Sequence, residues 1–222
     1  MINQFEECRE NMVQSQLTTS GVVDPRLIEC YESVPRERFC PDRESYCYSD
    51  KTLMLDGGRY VLEPLLHARM VQALDLQGND IVLDVGGATG YSAAILSGLV
   101  STVVVLDSDQ LLLDEAVKIY EELGFCNVIQ HKGVMLEGCQ HYGPYNAILI
   151  NGALNSVPDG LIDQLSVGGR LVYVFQQDGD RLGEIRLVTK VSENNLSEVT
   201  VSTAKAPFLV DGCVEPSFVF KG

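Results

Sequence analysis

Between residues 81 and 176 the chain alternates between two hydrophobic periods. Short β-branched and aliphatic runs at 81–85, 102–106, 128–132, 145–150 and 170–176 read as strands. Stretches of helical period lie between most of them, over 91–99, 110–123 and 158–165. In the longest, Leu111, Leu112, Ala116, Ile119, Tyr120 and Leu123 share one apolar face, and Gly124 ends it. Strands alternating with helices predict βαβ units and a parallel sheet covered on both faces. Two further alternating runs, 184–191 and 196–204, are joined by Ser192-Glu193-Asn194-Asn195 and predict an antiparallel edge. The fold class expected is α/β: a Rossmann-like, doubly wound, mostly parallel seven-stranded sheet with an antiparallel edge.

Ahead of that core the period is helical. Residues 5–16 form one predicted helix, broken by Thr18-Thr19-Ser20-Gly21. Asp24-Pro25 reads as an N-cap with proline in the first turn, and Leu27, Ile28 and Tyr31 continue at helical spacing up to Val34-Pro35. Pro64 opens a third helix with Leu65, Leu66, Met70, Val71 and Leu74 on one face. The expectation is one domain over 1–222. It comprises an N-terminal helical segment (1–78) lying over the ligand edge of the sheet, an α/β core (79–182), and antiparallel strands with a tail (183–222).

Composition narrows the class. With 45% hydrophobic and 21% charged residues the chain reads as soluble and globular, and no apolar run approaches the ~20 residues needed to cross a bilayer. The N-terminus lacks a basic-then-apolar signal layout, and seven cysteines with no C-x-x-C pair suit reduced thiols in a cytoplasm. A net charge of −15 argues against a nucleic-acid partner, which needs a basic face. Neither a metal site nor an oligomeric state is predicted.

The candidate chemistry sits at the end of the first core strand. Ile81 to Ser92 spells a β-branched run ending in Asp84, a small-residue bend, and the start of a helix. Read as a dinucleotide fingerprint from Gly86, the third glycine position would be Tyr91, far too large for close helix–strand packing. The alternative spacing, an acid then small residues at Gly86, Ala88 and Gly90, with Gly87 between, resembles the S-adenosylmethionine motif of Rossmann-like methyltransferases. The next strand ends in Asp107, 23 residues beyond Asp84, where an acid can accept from a ribose diol. Cofactor-binding candidates are therefore Asp84, Gly86, Gly87, Ala88, Gly90, Tyr91 and Asp107. Gly133 and Val134 after the third strand, and Asn151 at the end of the fourth, join them.

Three N-terminal words add a more specific likeness. Met12-Val13-Gln14-Ser15-Gln16-Leu17, Gly21-Val22-Val23-Asp24-Pro25-Arg26 and Val34-Pro35-Arg36-Glu37-Arg38-Phe39-Cys40-Pro41 resemble the signature of protein-L-isoaspartate O-methyltransferases. The likeness runs on through Tyr48, the cofactor motif and Asn146 to Arg170. It implies S-adenosyl-L-methionine as methyl donor, S-adenosyl-L-homocysteine as product, and repair of isoaspartyl sites in damaged proteins or peptides by carboxyl O-methylation. The tail word Glu215-Pro216-Ser217-Phe218-Val219-Phe220 resembles a docking segment of bacterial relatives.

The likeness fails in one loop. Where the family usually carries Gln-Thr-Ile-Ser-x-Pro, this chain has Arg59-Tyr60-Val61-Leu62-Glu63-Pro64. Leu62 stands for the serine expected near the methyl-transfer centre and Tyr60 for the threonine, so no catalytic residue is assigned. Val61 and Leu62 are expected in the core, and Arg59, Tyr60 and Leu62 are the acceptor-loop candidates. Gly133-Val134-Met135 likewise replaces a Gly-Asp-Gly, leaving Val134 and Met135 as apolar walls for an adenine. Two other readings stay open: a methyltransferase for a different protein or small-molecule acceptor, and an inactive homologue that keeps the fold.

Overall fold

The structure is a computed structural model that describes residues 4–41 and 46–209; the tail word at 215–220 lies outside them. The main sheet has seven strands: β3 (Ile81–Val85), β4 (Thr102–Asp107), β5 (Val128–Lys132), β6 (Tyr145–Leu154), β7 (Leu165–Phe175), β8 (Gly183–Ser192) and β9 (Asn195–Ala204). Their order is β5-β4-β3-β6-β7-β8-β9. The first five are parallel, and β8 and β9 are antiparallel. Helices α4 (Tyr91–Ser97), α5 (Gln110–Leu123) and α6 (Asp159–Asp163) link the parallel strands. The central strands are apolar almost throughout because both faces are covered. Val82, Val103 and Val105 pack into the core shared with the N-terminal segment, and Leu83, Val85, Val104 and Leu106 into the core of the opposite face.

Two strands differ from their predicted extents. β6 runs to Leu154 instead of ending at 150: past a register shift it pairs again with β7 at Ala153↔Val174 and Leu154↔Phe175, and residues 207–209 lie along its other side. The Ala153 amide donates to the Pro207 carbonyl (2.9 Å), and the Leu209 amide to the Ala153 carbonyl (3.0 Å). β7 begins at Leu165, five residues early. Gly168-Gly169 is a bulge inside the strand instead of a turn before it, and the register against β6 jumps between Tyr145↔Leu165 and Ala147↔Arg170.

Upstream lie α1 (Gln4–Met12), continued by a π-helical turn over Val13–Leu17, then α2 (Pro25–Ser33) and α3 (Pro64–Ala73). Asp24 caps α2 as its sequence predicts, accepting from the Arg26 amide at 2.9 Å. The deviant loop is a small hairpin of β1 (Leu53–Met54) and β2 (Tyr60–Val61). Its turn contains Gly57 (φ 69°) and Gly58 (φ 77°), two left-handed positions in succession that only glycine adopts without strain.

The N-terminal segment is anchored by aromatic rings and one cation. Tyr31 and Phe39 meet Tyr91 edge-on, with centroids 6.3 and 5.8 Å apart. Arg36, fully buried, lies 4.6 Å over the Tyr91 ring and donates to the carbonyls of Cys47 (2.6 Å) and Leu62 (2.7 Å). No helix among the described residues is long and apolar enough to cross a membrane.

Gly90 opens α4 at φ 93°, and Tyr120 of α5 donates to its carbonyl at 2.9 Å. A Cβ at Gly90 would overlap the Tyr120 hydroxyl and lie 2.8 Å from Ala116 Cβ. Left-handed strain plus overpacking predicts that Gly90→Ala costs about 2–4 kcal/mol of stability. Urea denaturation measures it, and a loss below about 0.5 kcal/mol would mean that Tyr120 and Ala116 give way freely.

Candidate functional site

The strand order reverses at β3, whose neighbours are β4 on one side and β6 on the other. Open α/β sheets bind ligands in the crevice at such a point, beyond the carboxyl ends of the strands. Asp84 sits there, fully buried. Its Oδ1 accepts from Ser92 Oγ (2.7 Å), on the first turn of α4, and from Asn151 Nδ2 (2.7 Å), across the switch on β6. Its Oδ2 has no hydrogen-bond partner among the described residues. Burial pushes the Asp84 carboxyl up to about 6, and the two hydrogen bonds and Asp107 adjust that value without reversing it. A Cβ on Gly87 would fall 2.6 Å from Oδ2, so Gly87 is required by Asp84 itself.

The chain of hydrogen bonds continues away from the acid. His67 Nε2 lies 2.9 Å from Ser92 Oγ, and His67 Nδ1 lies 2.5 Å from the Tyr31 hydroxyl. Ser92 gives its proton to Asp84, so Nε2 is the donor to Ser92 and Nδ1 the acceptor from Tyr31. That polarity needs a neutral imidazole. Burial, helped by Arg36, supplies it by lowering His67 to about 3.

The second acid is differently placed. Asp107, also fully buried, is held by Arg59, the residue just before β2: Nη1 to Oδ1 at 2.6 Å and Nη2 to Oδ2 at 2.5 Å. The amides of Asp109 (3.0 Å, to Oδ1) and Ala88 (3.2 Å, to Oδ2) complete its shell. Ala88 turns that amide toward the acid by taking a left-handed conformation at φ 51°. Over Gly86 lie Leu209 and Met135: a Cβ there would be 2.5 Å from Leu209 Cδ1 and 3.3 Å from Met135 Sδ. Tyr60 donates to the Pro207 carbonyl at 3.0 Å. Among Arg36, Tyr60, Leu62, His67, Gly86 and Asn151 remains a cavity of about 10 Å3. That holds at most one water, against roughly 300–1,000 Å3 for an ordinary ligand cleft.

The sequence candidates thus divide. Asp84, Gly86, Gly87, Ala88, Asp107 and Asn151 converge on the switch point, and Arg59, Tyr60 and Leu62 close over them. Gly90 and Tyr91 face inward instead, Gly90 against α5 and Tyr91 into the aromatic cluster, because a helix start needs its own packing. Gly133 lies on the far side of Asp107, donating its amide to the Asp107 carbonyl at 3.0 Å. Val134 is 53% exposed, whereas its neighbour Met135 is buried at Gly86. Four participants were missed: Arg36, His67, Ser92 and Leu209. Ser92 and His67 are polar residues that fall among the apolar positions of their helices, a signal of buried hydrogen bonding. Leu209 carried none.

The comparisons with known proteins agree with this geometry. Residues 7–207 match the family model described as protein-L-isoaspartate(D-aspartate) O-methyltransferase. Protein-L-isoaspartate O-methyltransferase 2 of Anaeromyxobacter sp. (strain Fw109-5) is 36% identical over 186 residues, 83% of this chain and 75% of that one. The Roseiflexus sp. (strain RS-1) enzyme is 38% identical over 157 residues, 70% and 72% of the two chains. Among solved structures, a protein-L-isoaspartate O-methyltransferase superposes with a TM-score of 0.79 at 27% identity, covering 90% of this chain and 65% of that one. A Plasmodium falciparum relative crystallised with S-adenosyl-L-homocysteine shares the fold, with a TM-score of 0.75 at 16% identity over 92% of this chain and 97% of that one.

Asp84 generates a pH prediction. Its folded value of about 6 lies above the 3.8 of an exposed aspartate. Protonation therefore favours the folded state. The contribution is complete below about pH 4 and is lost as pH rises through 6. Asp84→Asn, which keeps an acceptor for Ser92 and Asn151, should be more stable than the native chain at pH 8 by roughly 1–3 kcal/mol. The gain should shrink toward zero at pH 4. Urea denaturation across that range measures it, and a pH-independent difference would show that the carboxyl is not what titrates.

Proposed function

Because the chain belongs to the protein-L-isoaspartate(D-aspartate) O-methyltransferase family, we propose that it transfers the methyl group of S-adenosyl-L-methionine to the isoaspartyl carboxylate of a damaged protein or peptide. The observation that carries this reading is the pair of buried acids, Asp84 and Asp107, at adjacent strand ends around a glycine-rich turn, within a family match spanning nearly the whole chain. In chemical type these residues fit the cofactor. The Asp107 carboxylate suits a ribose diol, the Gly86-Gly87 backbone admits close approach, and Asp84 carries an unpartnered buried oxygen. As folded, the space above them is filled by Arg59, Leu209 and Met135.

The bound cofactor supplies a methyl group already activated by its sulfonium. What remains for the protein is alignment and exclusion of water. A carboxylate acceptor is ionised at neutral pH and needs no general base, so no Ser/His/Asp or Cys/His arrangement is required. Leu62 presents only carbon beside Gly86, so whatever a hydroxyl would contribute to positioning is absent. A damaged protein or peptide is the partner that this chemistry serves, and the strongly negative surface disfavours nucleic acid. The six described cysteines are thiols, which supports a cytoplasmic setting. The buried residues shared between the N-terminal segment and the sheet support a single domain. The apolar and bulky substitutions at Tyr60 and Leu62 favour a second reading, the same chemistry on a different carboxylate acceptor.

The assay is methyl ester formation from labelled S-adenosylmethionine on an isoaspartyl peptide, with the aspartyl peptide as control. Slow, isoaspartate-selective turnover is expected from the native protein. The variant Arg59→Gln/Tyr60→Thr/Val61→Ile/Leu62→Ser should be faster by roughly 10- to 150-fold, the worth of one positioning contact to a charged group. Equal rates on both peptides would remove isoaspartate as the acceptor. A native rate unaltered by the four substitutions would make the loop neutral.

A further inference from the structure

We propose that Arg59 and Leu209 form a built-in plug of the cofactor cleft. The Arg59 guanidinium holds the carboxylate that a ribose diol would take, Leu209 covers Gly86, and the cofactor binds only by displacing both. The proposal rests on the reading of the cleft as an S-adenosylmethionine site.

The chemistry of Asp107 makes the two occupants exclusive. A carboxylate offers about four lone-pair sites, and here four donors fill them: two from Arg59 and the amides of Asp109 and Ala88. The two amides belong to the turns that shape the cleft and stay. The guanidinium fork presents two parallel N–H groups where a vicinal diol would present two O–H groups, so it occupies the same pair of positions. A diol cannot be added to this shell. It can only replace Arg59.

The plug is one mechanical unit with a hinge. Tyr60, next to Arg59, donates to the Pro207 carbonyl two residues before Leu209, so the hairpin and the 207–209 segment are tied together. The hairpin side is short: β1 and β2 pair through two residues each, helped by the Leu55 amide on the Arg59 carbonyl at 2.8 Å. It turns at Gly57 and Gly58, around which a Cβ would meet nothing within 4 Å. The 207–209 side hangs on two backbone hydrogen bonds to Ala153. Arg59 leaving alone would strand a buried carboxylate, but a diol entering as it leaves keeps Asp107 hydrogen-bonded, so the exchange avoids most of that penalty. When the competent state is a fraction of the population, affinity falls by that fraction, and removing the plug restores it.

The test is binding of S-adenosyl-L-homocysteine, measured by calorimetry on the native protein, Arg59→Gln and Leu209→Ala. Leu209→Ala leaves no buried charge unpaired, so it serves if Arg59→Gln proves too unstable to fold. Each variant is expected to bind at least about tenfold more tightly than the native chain. A second readout separates a plug from a merely structural contact. Ligands normally slow amide exchange where they bind. Here saturating S-adenosyl-L-homocysteine should speed exchange at the Ala153 and Leu209 amides of the native protein, because displacing the segment breaks their mutual hydrogen bonds. Equal affinity in all three proteins, or slower exchange at those amides, overturns the plug and leaves the methyltransferase reading standing. No binding by any of the three overturns both.

Discussion

A carboxylate buried without a counter-charge is expensive, and at the switch point of this sheet the protein keeps one in Asp84. Much of the surrounding architecture follows from satisfying it. Ser92 fastens the first turn of α4 to the end of β3, and Asn151 fastens β6 across the reversal of strand order. His67 then fastens α3 to Ser92, and Tyr31 fastens α2 to His67. Every donor points toward the acid, so the chain has a single polarity and a single imidazole tautomer. Gly87 is small because Oδ2 lies against it. Four elements from both halves of the sequence thereby converge on one oxygen atom, and the opposite oxygen of that carboxyl stays unpartnered.

Two buried arginines do for the N-terminal half what Asp84 does for the sheet. Arg36 has no carboxylate partner among the described residues; it is held by carbonyls of Cys47 and Leu62 and by the face of Tyr91. It therefore fixes the backbone of the deviant loop regardless of that loop's side chains. Arg59 sits against Asp107 with a full bidentate contact, fixing the tip of the hairpin. The first contact is between backbone and scaffold, which suits permanence. The second is between two side chains on opposite sides of a glycine hinge, which suits exchange.

The fold was legible in the sequence wherever burial on both faces forces a uniform pattern. The five parallel strands, the antiparallel edge and α5 follow from period and punctuation alone. Extents were misread where a contact distant in sequence decides them. β6 continues past Ile150 because it pairs again with β7 beyond a register shift, with residues 207–209 on its other side, and no local signal announces that. Gly168-Gly169 has the composition of a turn, yet β6 draws it into the strand as a bulge. In the site the acids and the glycine-rich bend were legible, since their spacing reflects strand-end geometry. The assignments of individual glycines were less so. Gly90 answers to Tyr120 and Ala116, residues thirty and twenty-six positions away. Likewise the absent acid at Val134 suggested an apolar wall. The backbone leaves Val134 half-exposed and buries its neighbour Met135 against Gly86.

The loop where the resemblance fails shows how a family can lose a side chain and keep its frame. At position 62 the fold uses the carbonyl, which accepts from Arg36, while the side chain only has to be buried. Leucine meets that need with carbon alone, filling core beside a cavity lined by Arg36, Tyr60, His67 and Asn151. Stability therefore places no pressure on this position to retain a hydroxyl; only chemistry could. The same reasoning separates Arg59 from Leu62. Removing Arg59 leaves a buried charge at Asp107, so its substitution is felt by the whole hairpin. Exchanging Leu62 removes buried carbon from the core and leaves no charge unpaired. The deviation thus has two physically distinct parts: Arg59 holds the buried carboxylate of Asp107, and Leu62 fills core behind the loop.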